Sequence, residues 1–281
     1  MRRDRTSSPS ARFAHGSLPD HLIQTSPMPS NHDPWAVYEL LLTQATSTAQ
    51  VDEVLIGQVW TMCRSTDGGL GLAMTSPAAT SRTLTFSGTL QGRPINQLAA
   101  RVRSWNPTEA VLGMAAINAC LNRPDNATSR TAQRLTPGNL AVFEHFAPQL
   151  EGRQVVVVGH YPGLERYADR LALTILERLP AQGDLPDPAC EFVIPEADWV
   201  FLTASSLPNK TFPRLAQLAC DAQLVLMGPT TPWLPQLATF GVDYLAGVVV
   251  EDHALLCRTI AEGGGTRLFE GAVRYAITAL V

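Results

Sequence analysis

The sequence predicts an α/β fold in two parts: a C-terminal parallel sheet wound with helices, and a smaller α+β domain across its mouth. Three observations carry this reading. From Gln154 onward, strand and helix signals alternate, the pattern of a parallel sheet covered on both faces. Val155, Val156, Val157 and Val158 form a continuous β-branched run closed by Gly159. Pro162 and Gly163 then open a segment whose Leu164, Tyr167, Ala168 and Leu171 fall at helical spacing. The 281 residues are enough for two domains, each with its own core.

Composition narrows the function classes. At 45% hydrophobic and 16% charged the chain can fold, and its formal charge of −4 gives no basic field for nucleic acid or anionic membrane surfaces. No stretch approaches the roughly 20 uninterrupted apolar residues that a membrane span requires. The five cysteines (Cys63, Cys120, Cys190, Cys220, Cys257) are odd in number and lack a CxxC pair. A disulfide framework or structural zinc site is therefore not expected, and a reducing, cytoplasmic setting is. Most of these thiols read as small hydrophobes, with Cys190 the exception.

Residues 1–32 are rich in Ser, Pro and Arg without an apolar core segment and read as a disordered tail. Asp33 and Pro34 resemble an N-cap and first helical position for a helix over 34–49. Alternation over 54–64, turn residues Asp67, Gly68 and Gly69, and the run Leu70–Met74 predict a β-hairpin, with a third strand over 82–86. Helices follow over 96–105 and Pro107–Leu121. The second contains GMAAINAC, where Asn118 is a polar group in apolar surroundings and needs a partner or an interface. Polar residues over 123–133 predict a linker, which divides the chain into domains over 33–135 and 136–281.

In the second domain the strand at 155–158 is followed by strands over 173–176, Trp199–Thr203, 224–227 and Tyr244–Val250. Helices are expected over 211–220, from Pro232 with Thr231 as cap, and over 252–262. The 268–280 segment closes the domain. Ligands of such sheets bind beyond the strands' carboxyl ends. Here that places four loops together: 159–163, 183–191, 203–211 and 228–233. They carry His160, Asp184, Asp187, Cys190, Glu191, Thr203, Ser205, Asn209, Lys210, Thr230 and Thr231.

Three readings of these residues stand side by side. His160 with one or two carboxylates suits a divalent transition metal. The threonine loops, with Lys210, suit an organic anion. Asp184 and Asp187 also suit plain turn capping between prolines. Glu177, at the end of the second strand, suits ribose hydroxyls, but GHYPGL is not the dinucleotide fingerprint GxGxxG. GxSxG is absent and no serine has a visible base. His253, at the start of a helix, reads as a surface residue. His15, His21 and His32 lie in the tail and His145 beside the linker, which leaves His160 as the best-placed imidazole.

The succession VVVVGHYPGL, GDLPDPACEFVIPEADWVFLTASSLPNKTFPRLAQLA and VLMGPTTPW resembles the DUF364 family, described as a heavy-metal chelation domain. GQVWTMC, GLGLAMT and GMAAINA resemble its companion domain, DUF4213. The resemblance implies a Rossmann-like C-terminal domain, an N-terminal domain similar to that of enolase, and a site between them. It implies Gly159, Pro162, Asp184, Asp187, Thr203, Asn209, Gly228, Pro229 and Thr230 as motif positions, with Asn118 in the same set.

The expectation is a small-molecule or metal-chelate ligand in the cleft. His160 and Asp187 would stand nearest the ion, with Asn118, Gly159, Pro162, Asp184, Thr203, Ser205, Asn209, Gly228, Pro229 and Thr230 around the organic part. The alternative is an enzyme that binds a nucleotide or methyl-donor cofactor; a third reading is a carrier or regulatory module. An open cleft can be completed by a second copy, which points to a homodimer.

Overall fold

The computed structural model describes residues 33–77 and 84–280. The expected tail over 1–32 lies outside them. The first helix, α1 (Ala36–Gln44), is shorter at both ends than the 34–49 expected; ahead of it Asp33 Oδ1 accepts the Trp35 amide at 2.9 Å and shapes a turn. The single strand signal over 54–64 divides into β1 (Val51–Ile56) and β2 (Trp60–Ser65). Between them Gly57 turns the chain and donates to Trp60 O at 2.9 Å. β3 (Leu70–Met74) returns antiparallel to β2 and completes a three-stranded sheet in the order β1-β2-β3. Of the strand expected over 82–86, Arg82 and Thr83 lie outside the described residues, and over 84–86 the chain is not a strand: Leu84 and Phe86 close turns by accepting from the Ser87 and Thr89 amides.

The 96–105 segment is a short α2 (Ile95–Ala99) that tightens into the 3₁₀ turn Ala100–Arg103. α3 (Pro107–Leu121) matches its prediction and is capped by Asn106 Oδ1, which accepts the Thr108 and Glu109 amides. Its small residues allow backbone-to-backbone approach. A Cβ on Gly113 would stand 2.1 Å from Val102 N, and one on Gly71 2.1 Å from Ala115 O. The expected linker is ordered structure: α4 (Ala127–Thr131), capped by Asn126 on Ser129 N, and β4 (Gln133–Arg134).

The C-terminal half contains α5 (Ala141–Leu150), β5 (Gln154–Val158), β6 (Ala172–Glu177), β7 (Leu185–Pro186), α6 (Cys190–Val193), β8 (Trp199–Thr203) and α7 (Ser206–Asn209). It continues with α8 (Phe212–Leu218), β9 (Gln223–Met227), β10 (Tyr244–Val250), α9 (His253–Ala261) and β11 (Val273–Ala279). The sheet order is β4-β11-β10-β9-β8-β5-β6-β7. From β10 to β7 all neighbours are parallel, whereas β11 and β4 add an antiparallel edge, so the sheet is mixed rather than purely parallel. The chain leaves β5 toward β6 on one side and returns to β8 on the other. A crevice therefore opens beyond the carboxyl ends of β5 and β8, where the winding reverses.

Two predicted helices come out differently. The segment after Pro162 is only the 3₁₀ turn Leu164–Tyr167. No helix starts at Pro232. Pro235 lacks the amide that would make the first helical bond to Thr231 O, and the chain turns through Thr231 N on Gly228 O before the 3₁₀ segment Pro235–Phe240.

Alternate valines of β5 face opposite cores. Val155 and Val157 pack with α5 and α9 residues such as Phe143, Phe146, Leu256 and Ile260. Val156 and Val158 join the core containing Leu202, Leu207 and Trp233, which extends to Leu41, Val111 and Ile117 of the N-terminal helices. The first core likewise takes in Trp60, Met62 and Leu72 of the small sheet. Separate cores were expected; the two halves instead share both.

Candidate functional site

The four loops predicted to meet do enclose one cavity, of about 620 Å³. Gly159 (φ 105°) and Gly228 (φ 109°) end β5 and β9 in the left-handed region, and a Cβ on Gly159 would press to 3.2 Å from Thr203 Cβ. These glycines bring the loops close at the crevice. The opposite wall comes from the N-terminal half, through Val59, Trp60, Met74 and Pro77. Two bonds fasten that wall: Met74 N donates to Thr230 Oγ1 at 3.0 Å and Trp60 Nε1 to Gly265 O at 3.1 Å.

Of the predicted site residues, Gly159, His160, Pro162, Asp187, Thr203, Ser205, Asn209, Gly228, Pro229 and Thr230 line the cavity. Asn118 and Asp184 do not, and each stands one step behind it. Asn118 Nδ2 donates to Leu72 O and Thr230 O, both at 2.8 Å, and so ties β3 to the loop after β9. Its Oδ1 is buried without a partner among the described residues. The Asp184 side chain is 2% exposed, and its Oδ2 is 3.0 Å from His160 Nδ1 and accepts the Ala181 amide at 3.0 Å.

His160 is thus held from two sides. Its amide donates to Glu177 Oε2 at 2.9 Å, and its Nδ1 is engaged by Asp184, which leaves Nε2 without a partner among the described residues. An imidazole with a carboxylate on one nitrogen is the orientation a metal-ligating histidine needs. Glu177 Oε1 also accepts the Arg178 amide at 2.7 Å, so this carboxylate braces the loops after β5 and β6. Asp187 is paired with Arg178 Nε at 3.2 Å. Burial, then the charges of Glu191 and Asp187, push the Cys190 thiol up.

A hydroxyl-rich side of the cavity is built on the loop after β8. Thr203 Oγ1 and Ser205 Oγ share a hydrogen bond of 3.0 Å, and Ser206 Oγ is buried with no partner among the described residues. Lys210 adopts φ 67°, the one non-glycine residue with positive φ among those described. Its Nζ donates to Pro208 O at 3.1 Å and lies 5.5 Å over the Tyr38 ring. Burial lowers its pKa to about 8. Tyr161, also on the wall, has its hydroxyl raised by burial.

Sequence reasoning missed Tyr161, Arg178, Ser206 and the Trp60–Met74 side of the cavity. Ser206 and Lys210 lie inside a loop already singled out, but only the fold shows that one hydroxyl is orphaned and one amine desolvated. Trp60 and Met74 lie in the segments GQVWTMC and GLGLAMT that carry the DUF4213 resemblance, but nothing local marked either residue as part of the wall.

Comparison with known proteins decides the kinship. The DUF364 profile, described as "Putative heavy-metal chelation", matches residues 141–279, and the DUF4213 profile, with the same description, matches residues 38–121. The crystal structure of a DUF364-family protein of unknown function from Desulfitobacterium hafniense DCB-2 is 33% identical. It covers 87% of this chain and 98% of its own, with a TM-score of 0.78. This chain belongs to the DUF364 family. A second DUF364 structure, from Pyrococcus horikoshii, is 21% identical over 86% of this chain and 98% of its own, with a TM-score of 0.70, and shows the shared fold. No curated protein matches the chain. The DUF364 profile spans the loops after β5, β6, β8 and β9, and the DUF4213 profile spans the opposite wall with Asn118.

Proposed function

We propose that this DUF364 protein binds a divalent transition metal carried by a small organic chelator, in the cleft between its N-terminal and Rossmann-like halves. The His160–Asp184 pair carries the reading: it offers one oriented imidazole nitrogen to the cavity. A bare ion needs three or four protein donors. Among the described residues no trio of His, Cys, Asp or Glu at ligand distance lies in this cleft. One imidazole, with Asp187 released from Arg178 as a second donor, fits an ion that brings most of its ligands with it. The volume agrees, since about 620 Å³ suits an organic molecule and far exceeds an ion. Thr203, Ser205, Ser206, Asn209 and Lys210 then hold the chelator's oxygens, with the ammonium as counter-charge. The meander β1-β2-β3 followed by helices supports the likeness of the N-terminal half to that of enolase.

The test is thermal unfolding and calorimetry with Zn²⁺ or Ni²⁺ alone, citrate or nitrilotriacetate alone, and each metal–chelator pair. Ligand at a hundred times its dissociation constant adds about 2.7 kcal/mol, several degrees for a chain of this size. The pair should stabilise more than either component, and His160→Ala should abolish the difference. Stabilisation by a nucleotide or S-adenosylmethionine, with the pairs silent, overturns the reading in favour of a cofactor enzyme. That reading has less to stand on here, because Glu177, its ribose ligand, braces backbone amides with both oxygens.

A further inference from the structure

A second group of metal-ligating side chains lies away from the cleft. Glu53 stands on β1, and His253 and Cys257 stand one turn apart at the start of α9, which packs across β1 and β2. A carboxylate oxygen, an imidazole nitrogen and the Cys257 sulfur lie within 4.8 Å of one another, the only such trio among the described residues. Cys257 Sγ is 3.4 Å from His253 Nε2, and the thioether sulfur of buried Met62 lies 3.8 Å from Sγ. The i, i+4 spacing puts the imidazole and thiol on one helix face, and β1 supplies the carboxylate opposite.

A cation already stands among these donors. Arg64 Nη1 is 3.2 Å from His253 Nε2 and its Nη2 is 3.3 Å from Glu53 Oε2, so the guanidinium bridges two of the three. Its Nε is held separately by Asp52 at 2.7 Å, so Arg64 keeps a partner if an ion displaces it from the other two. His253 and Arg64 also line a second cavity, of about 480 Å³, which gives an ion a route in.

We propose that Glu53, His253 and Cys257 form a second metal site, for a borderline-to-soft divalent ion of the Zn²⁺ and Cd²⁺ class. Thiolate, imidazole and carboxylate together with one water complete a four-coordinate shell, and the thiolate biases the choice away from Mg²⁺ and Ca²⁺. As the sulfur–metal bond forms, the thiol proton passes to solvent and the imidazole binds neutral through its lone pair. The charges of thiolate and carboxylate then balance the ion. This site does not depend on the cleft reading.

The test uses the full chain. With one equivalent of Zn²⁺, iodoacetamide alkylation mapped by mass spectrometry should slow at Cys257, while exposed Cys220 reacts as before. With Cd²⁺, an ultraviolet thiolate charge-transfer band should appear. It should vanish in Cys257→Ser, need at least ten times more Cd²⁺ in His253→Ala and Glu53→Gln, and persist in His160→Ala and Cys190→Ser. Equal alkylation of Cys257 with and without Zn²⁺ in the unsubstituted protein overturns the proposal, and this readout requires no variant to fold. A Cd²⁺ band that survives Cys257→Ser overturns it as well.

Discussion

Single side chains decide how the cleft behaves. Asp184 stands behind the cavity and holds the His160 ring, and removing such a partner from a metal-ligating histidine typically lowers metal affinity about 10–100-fold. Asp184→Asn should therefore weaken the metal–chelate pair by that factor in calorimetry and leave the ligand-free unfolding midpoint near its original value. Lys210 sets the pH response. Burial holds its pKa at about 8, below the ordinary 10.5, so the folded protein favours the neutral amine. The unfolded chain then binds more protons between these values, and stability rises as pH climbs from about 8 toward 10.5. Lys210→Met should flatten that rise when midpoints are compared across pH. Affinity for an anionic chelator runs the other way and should fall as pH passes about 8, because the counter-charge is lost. Asn118 was expected to touch the ligand, yet it latches Leu72 O to Thr230 O from behind the wall. Asn118→Ala leaves two carbonyls unpaired at about 1–3 kcal/mol each, a loss that denaturant unfolding would register.

Elements that pack backbone against backbone carry a different constraint. α3 is a strong helix by sequence, and Gly113→Ala would raise its intrinsic propensity by about 1 kcal/mol. The structure reverses the sign, since the new Cβ would stand 2.1 Å from Val102 N and neither backbone can yield cheaply. Gly113→Ala should therefore destabilise by about 1–3 kcal/mol or more in urea titration. This contrast marks what the sequence could tell. Strands buried on both faces, such as β5, β8 and β10, announced themselves by continuous apolar runs, and α3 was expected over its full Pro107–Leu121 span. Where prolines removed amides after Gly228, or where Gly57 split one alternating run into two strands, local pattern misled because tertiary hydrogen bonds set the outcome. The meeting of four loops at strand ends around one cavity was legible. The smaller domain was expected across them, but which of its residues form the wall was not legible, because nothing local in the 57–75 segment says which strands it will face. The Glu53, His253 and Cys257 trio was hidden for the same reason: His253 read as a surface residue, and only the packing of α9 on β1 brings it half-buried to Glu53.

Across the whole molecule, the cleft is walled by two halves that share both cores and so cannot swing freely. Trp233 shows the coupling. Its ring is 1% exposed in the core that joins Leu202 and Leu207 to Leu41 and Val111, its Nε1 donates to Val248 O at 3.2 Å, and its amide donates to Asn122 Oδ1 at 2.9 Å. Tyr38 adds a second tie, with its hydroxyl donating to Leu207 O at 2.9 Å. Separating the halves would expose these apolar faces together, so the two halves should unfold together. Calorimetry should then show one transition whose measured and van't Hoff enthalpies agree. Trp233→Ala should lower that transition as a unit by about 3–5 kcal/mol, a fall on the order of 10 °C for a chain of this length. Two resolved transitions, or a residue 136–281 fragment that unfolds as sharply as the full chain, would mean that the halves are independent and that the cleft opens by hinge rotation.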